Sequence, residues 1–190
     1  MRIALYGPSG AGKSTSRSIL VDTFAHLGHP AVALRLAEPL YLLQNVVRAV
    51  ARMPLADPAA QDGALLAALG EHLRRINPNC LVEDFAQRLH AATTAHPNTV
   101  VICDDMRAPD AQALDRLEFT FVQVTAPDAA RTARLAARGD VSAADHNHPT
   151  EAPITRPADH VLVNDASIER LRDDIRSLAE TLLARRDTPR

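Results

Sequence analysis

The chain has almost no lysine: of its 21 Lys and Arg residues, all but Lys13 are arginine. Aromatics are also scarce, at 3% with no Trp, and there are two Cys and seven Gly among 190 residues. Each shortage excludes something. Two cysteines, Cys80 and Cys103, are too few for a disulfide framework, and Cys103 ends an apolar strand-like run, so both read as reduced and packed. With four Phe and two Tyr, the core must be mostly Leu, Val and Ala, and no aromatic constellation marks a base-stacking pocket; Tyr41 and Phe85 are the candidates for stacking. No apolar run reaches membrane-spanning length. A net charge of −2 and a pI near 6.4 argue against a general nucleic-acid or membrane partner. The first residues already read as a strand, so no signal peptide is expected and the protein is placed in the cytoplasm. The length suits one domain with 46% hydrophobic residues to fill it.

The lone lysine lies in "GPSGAGKST", Gly7 to Thr15. Gly7, Gly12, Lys13 and Ser14 fill the four defined places of G-x-x-x-x-G-K-[ST], the phosphate-binding P-loop. An apolar run, Arg2 to Tyr6, precedes it, and Lys13 to Leu27 follows with apolar residues at helical spacing. Strand, glycine loop and helix turn successive backbone N–H groups toward a polyphosphate at a helix N-terminus. A compact ammonium fits between β- and γ-phosphates where a planar guanidinium would collide with the loop. Ser14 is then the ligand for a Mg²⁺ on the same phosphates. Gly10, Ala11 and Gly12 form the close backbone approach, and Thr15 serves the α-phosphate side.

Further strand-like runs occur at Ala31–Leu36, Thr99–Cys103, Phe119–Thr125 and His160–Asn164, making five. Helical patterns cover Leu40–Arg52, Ala64–Ile76, Val82–Thr94, Asp110–Leu117, Asp128–Arg138 and Ile168–Arg185. The alternation predicts a three-layer α/β fold on a five-stranded parallel sheet. Residues 39–97 hold about three helices and no strand, which reads as a helical, acceptor-binding insertion over the sheet's C-terminal edge. Residues 139–158 are polar, with three prolines, so 127–158 reads as a lid region.

A P-loop alone implies only a bound nucleoside triphosphate. A switch GTPase needs an N-K-x-D motif, which the single lysine rules out, and no L-S-G-G-Q transporter signature occurs. A small-molecule kinase needs an acceptor site and cations for the transferring group, and the arginines supply them. Arg74 and Arg75 close a helix of the insertion. "CDDMRAPD" sets Asp104, Asp105 and Arg107 just past the third strand, where open α/β sheets do their chemistry. Arg131, Arg134 and Arg138 share a helix face leading into the lid. Asp104 is a candidate metal residue beside Ser14. Asp105 either assists the metal, accepts the acceptor's proton or holds Arg107 in a bidentate pair. His146 and His148 read as loop histidines rather than metal ligands.

Several segments in order resemble the deoxynucleoside monophosphate kinase family. "LAEPL" resembles its F-A-D-P-L turn, and "LGEHLRRINPN" its L-G…R…D-P-D segment. "VICDDMRAPDAQAL" resembles V-x-x-D-V-R-F-P-N-E-A-x-x-L, "HPTE" resembles H-x-S-E, and "ADHVLVNDASIERL" the family's ending. The resemblance implies transfer of the γ-phosphoryl of ATP, with Mg²⁺, to a nucleoside monophosphate. It implies acceptor contacts from Glu38, Tyr41, Arg107 and one of Arg74 or Arg75, catalytic roles for Lys13, Asp105, Arg107, Arg131 and Arg134, and ATP contacts at Asn164 and Asp165. The partner implied is a nucleotide-like small molecule, with a homodimer allowed. Asp110-Ala111 stands where the family has Asn-Glu, Ala166 where it has Gly, and Tyr41 where a lysine or arginine is common. These departures lie near the acceptor, so a kinase acting on a hydroxyl of a modified nucleotide or other small metabolite is the first alternative. A non-catalytic ATP-sensing module is the second.

Overall fold

The computed structural model describes residues 1–55, 60–142 and 152–187. Five strands form one sheet: β1 (Arg2–Tyr6), β2 (Ala31–Ala33), β3 (Val100–Cys103), β4 (Thr120–Thr125) and β5 (His160–Val163). Their order is β2-β3-β1-β4-β5 and every pairing is parallel. The helices are α1 (Lys13–His26), α2 (Glu38–Val50), α3 (Gly63–Ile76), α4 (Cys80–Ala95), α5 (Ala111–Arg116), α6 (Asp128–Arg138) and α7 (Ile168–Asp187). A short 3-10 turn, Ala108–Asp110, leads into α5.

Strands buried on both faces alternate between two cores. Ile3, Leu5, Val100, Ile102, Val122 and Val124 face α1 and α7, where Leu20, Phe24, Leu171 and Ile175 complete a cluster. Ala4, Tyr6, Val101, Cys103 and Phe121 face the other way, onto Leu36, Leu40, Leu81, Phe85 and Leu114. The three helices between β2 and β3 belong to this second layer. The predicted α/β fold is therefore present, with all five strands and the helical interruption in the expected places.

Strand order explains where a site must form. β1 lies between β3 and β4, so the loop after β1 sits where connections leave the sheet in opposite directions. Among the described residues no helix is long and apolar enough to cross a membrane.

Candidate active site

The P-loop is held from outside by its own carbonyls. Lys13 Nζ donates to the carbonyls of Gly7 (2.8 Å) and Pro8 (3.1 Å). Arg131 Nε donates to Ser9 O at 3.0 Å, Arg134 to Gly10 O at 3.3 Å, and Asn164 Nδ2 to Ala11 O at 2.9 Å. Every carbonyl from Gly7 to Ala11 thus accepts from a side chain. Within the loop Ala11 N–H donates to Pro8 O at 3.2 Å, and successive N–H groups of such a turn form a concavity that suits an anion. The glycines are required by the contacts with Arg131 and Asn164. At Gly10 (φ +79°) a Cβ would lie 2.7 Å from the backbone oxygen of Arg131, and at Gly12 (φ +103°) one would lie 2.3 Å from Asn164 Nδ2.

Gly12 is the N-cap of α1 and supplies no side-chain cap. The first-turn N–H groups of a helix have no intrahelical acceptors, and their partial positive charge favours an anion. Ser14 and Thr15 expose their hydroxyls on this turn. The donor set, one ammonium, two hydroxyls and a cradle of N–H groups, fits a triphosphate.

Past β3 lies a row of acids, each with a distinct partner. Asp104, nearly buried, pairs with Arg17 of α1 at 3.1 Å. Asp105 does not hold Arg107. Its two carboxylate oxygens accept the backbone N–H groups of Leu36 (2.7 Å) and Ala37 (3.1 Å), bracing the turn that starts α2, and the Cys103 thiol donates to it at 3.4 Å. Burial, then the neighbouring Asp104 charge, push its carboxyl up to about 6, against the lowering effect of the two N–H groups. Burial likewise raises the Cys103 thiol and the Tyr41 phenol. Asp110 receives Arg74 Nη2 at 3.1 Å and the backbone N–H of Arg107 at 3.1 Å.

Asp105, Arg107, Asp110, Arg74 and Tyr41 line one cavity of about 380 Å³, and Asp104 and Arg17 lie outside its lining. Its floor is Ser9 of the P-loop with Asp105, Arg107 and Asp110; its walls are Leu36, Leu40 and Tyr41 on one side and Leu66, Gly70 and Arg74 on the other. Leu135, Arg138, Asp140 and Ser142 close it from α6 and beyond. The closing side is fastened to the start of α3. Ser142 pairs with Asp62 in a parallel bridge, and its Oγ donates to Asp62 Oδ1 at 2.7 Å. Gly63 N–H donates to Ser142 O at 3.0 Å and Val141 N–H to Gln61 O at 2.9 Å. Asp62 also caps α3 through Leu65 N–H and pairs with Arg48 of α2 at 3.0 Å. One carboxylate thereby joins α2, α3 and the segment after α6, and the Ser142 hydroxyl is the main reason its pKa lies below the usual carboxylate value.

The structure separates the sequence candidates. Arg74 faces the cavity, whereas Arg75 is exposed and pairs with Glu71. Tyr41 lines the cavity under Arg35, whose guanidinium lies 5.1 Å from its ring. Phe85, the other stacking candidate, is instead fully buried against Phe119, because α4 turns it into the second core. Glu38 opens α2 and is half-buried, outside the cavity lining. Arg131 and Arg134 reach the outside of the P-loop, not the cavity. Asn164 is buried against the same loop, and Asp165 beside it is exposed. His146 and His148, "HPTE" and much of the expected lid loop lie outside the described residues, among which no His, Cys, Asp and Glu group is placed to hold a metal by itself.

Sequence reasoning missed Arg17, Asp62 and Ser142. Arg17 had a signal, since it lies four residues after Lys13 and so on the same helix face. Asp62 and Ser142 are 80 positions apart and neither stands in a motif.

Comparison with solved structures gives the same architecture. The chain is 21% identical to the Mycobacterium tuberculosis APS kinase CysC, solved in complex with AMPPNP and APS, with a TM-score of 0.54 over 94% of this chain and 96% of that one. It is 14% identical to shikimate kinase from Acinetobacter baumannii in complex with shikimate, with a TM-score of 0.53 over 98% and 95%. A Thermus thermophilus protein is 23% identical, with a TM-score of 0.55 over 100% and 98%. The chain therefore has the P-loop kinase fold. No protein-family model matches it, and no curated protein is significantly similar in sequence.

Proposed function

We propose that the protein is an ATP- and Mg²⁺-dependent phosphotransferase whose acceptor is a nucleoside monophosphate, a deoxynucleotide on the strength of the family resemblance. The observation that carries this reading is the cavity of about 380 Å³. It begins at the P-loop, where Arg107 and Arg74 stand among Asp105 and Asp110, has an apolar wall of leucines and Tyr41, and is closed by Arg138, Asp140 and Ser142. That is the layout for an acceptor with one anionic end and one flat apolar end. In this reading α2 to α4 bind the acceptor, and residues 127–158 act as the lid.

Lys13 and the loop N–H groups hold the β- and γ-phosphates, and Arg107 and Arg74 hold the acceptor's phosphate against its own charge. Ser14 and Asp104, hard oxygen donors at the ends of the P-loop and β3, are the residues that would hold Mg²⁺; when bound, the ion neutralises charge shared by the β- and γ-phosphates. Arg131, Arg134 and Asn164 fix the loop's outer side, so its donors need not reorganise during transfer.

A second reading is favoured by Asp105. Transfer to a phosphate oxygen needs no proton acceptor, whereas transfer to a hydroxyl does. A carboxyl titrating at about 6 within the cavity suits that task, and APS kinase and shikimate kinase share the fold. ADP release from MgATP across a panel of ribo- and deoxyribonucleoside monophosphates, with Lys13→Ala as the blank, tests the first reading. Stimulation by one or two monophosphates, abolished in the variant, is the expected result. Stimulation only by a hydroxyl-bearing metabolite, with product NMR showing a phosphomonoester, would replace it with the second. Tight ATP binding with no stimulated turnover would reduce the protein to a sensor.

A further inference from the structure

The helix that walls the cavity has a second face. Tyr41, Gln44 and Arg48 recur at three- and four-residue intervals on the inner side of α2, where Gln44 is buried and accepts Asp62 N–H at 2.8 Å. The outer side carries Leu42, Leu43, Val46, Val47 and Val50, with Met53 just beyond the helix. Their exposure runs from 36% at Leu43 to 80% at Val50. Leu43, Val46, Val50 and Met53 fall at intervals of three, four and three, the spacing of a helix–helix seam. Single exposed hydrophobics need no explanation, but six on one face do.

We propose that this face pairs with the same face of a second copy of the chain, α2 against α2 in antiparallel orientation about a two-fold axis near Val46. The face carries no charge to repel a like surface: between Glu38, at the start of α2, and Arg52, just after it, the sole charged side chain is Arg48, which is turned inward to Asp62. A two-fold copy meets the same apolar stripe with itself, and the antiparallel orientation opposes the helix dipoles favourably. The area is adequate: six side chains this exposed offer about 500 Å² per copy, or roughly 1,000 Å² in all, the lower bound for a specific interface. The contact would stiffen α2 directly behind Tyr41, so the dimer would support the acceptor wall without entering the cavity.

Analytical ultracentrifugation of the full chain at tens of micromolar tests this, beside Val46→Glu and Val46→Cys. The wild type should sediment with twice the chain mass. Val46→Glu, which sets two carboxylates at the axis, should halve that mass with an unchanged circular dichroism spectrum. Val46→Cys should oxidise to a covalent dimer under conditions that leave the parent chain uncrosslinked. A monomeric wild type overturns the proposal, as does a Val46→Glu variant that remains dimeric. A monomer that floats with phosphatidylcholine vesicles would overturn it in favour of a lipid surface.

Discussion

Lys13 is held by the carbonyls of Gly7 and Pro8, so its ammonium is pre-positioned at the loop's mouth. Its removal should cost turnover about a hundredfold or more, as losing one pre-organised charge-stabilising group does. Lys13→Arg should fail comparably, since a guanidinium fork cannot take the place of a point donor between two adjacent carbonyls; steady-state kinetics of both variants checks this. Asp105 makes a different prediction. Its folded carboxyl titrates at about 6, above the ordinary 3.8, so the folded chain keeps that proton longer than the unfolded chain does. The group's contribution to stability is therefore greatest below pH 4 and is lost as pH rises through 6, by up to about 3 kcal/mol. Denaturant unfolding of the wild type and Asp105→Asn across pH 4 to 7 should show the gap between them moving in that direction. If Asp105 also accepts a proton during transfer, turnover will rise through pH 6; if it only braces α2, the profile will be flat there.

At the scale of elements, the strands and helices were readable because each carries its own period, and the departures have local causes. The apolar run Ala31–Leu36 predicts a longer second strand than the observed Ala31–Ala33. The run is interrupted because Asp105 takes the N–H groups of Leu36 and Ala37, which a longer ladder would need. α3 begins at Gly63 because Asp62 caps it, a bond a sequence pattern registers only as a polar residue before an apolar run. The P-loop was fully legible, being contiguous. Arg74 and Arg75 were equivalent in the sequence and differ in space, because only Arg74 lies on the face of α3 toward Asp110. Arg74→Ala should cost on the order of 3 kcal/mol of stability by stranding a buried carboxylate, and should weaken acceptor binding. Arg75→Ala should stay within about 0.5 kcal/mol of wild type; thermal melts of the two variants decide the matter. The fastening of Ser142 to Asp62 was illegible, because it joins residues 80 apart through a single hydroxyl. Ser142→Ala should cost about 1 kcal/mol in stability and should raise the acceptor's KM more than it lowers kcat, which initial rates at varied acceptor will show.

For the whole molecule, the sheet order brings segments from the first and last thirds of the chain onto the same loop: Arg131, Arg134 and Asn164 all hold P-loop carbonyls. A ligand in the cradle should consequently stabilise the entire fold. A non-hydrolysable ATP analogue with Mg²⁺ at a hundred times its Kd should add about 2.7 kcal/mol, a rise in Tm of roughly 5 to 10 °C for a domain of this size. Calorimetry with Lys13→Ala should show little or none of it.

The isolation of Lys13 also makes the protein its own probe. A chain with one ε-ammonium, engaged by two loop carbonyls, yields a single side-chain nitrogen signal when grown on isotope-labelled lysine. That signal needs no assignment. Its movement on titration with nucleotide would report occupancy of the phosphate cradle from one atom, before any acceptor is known.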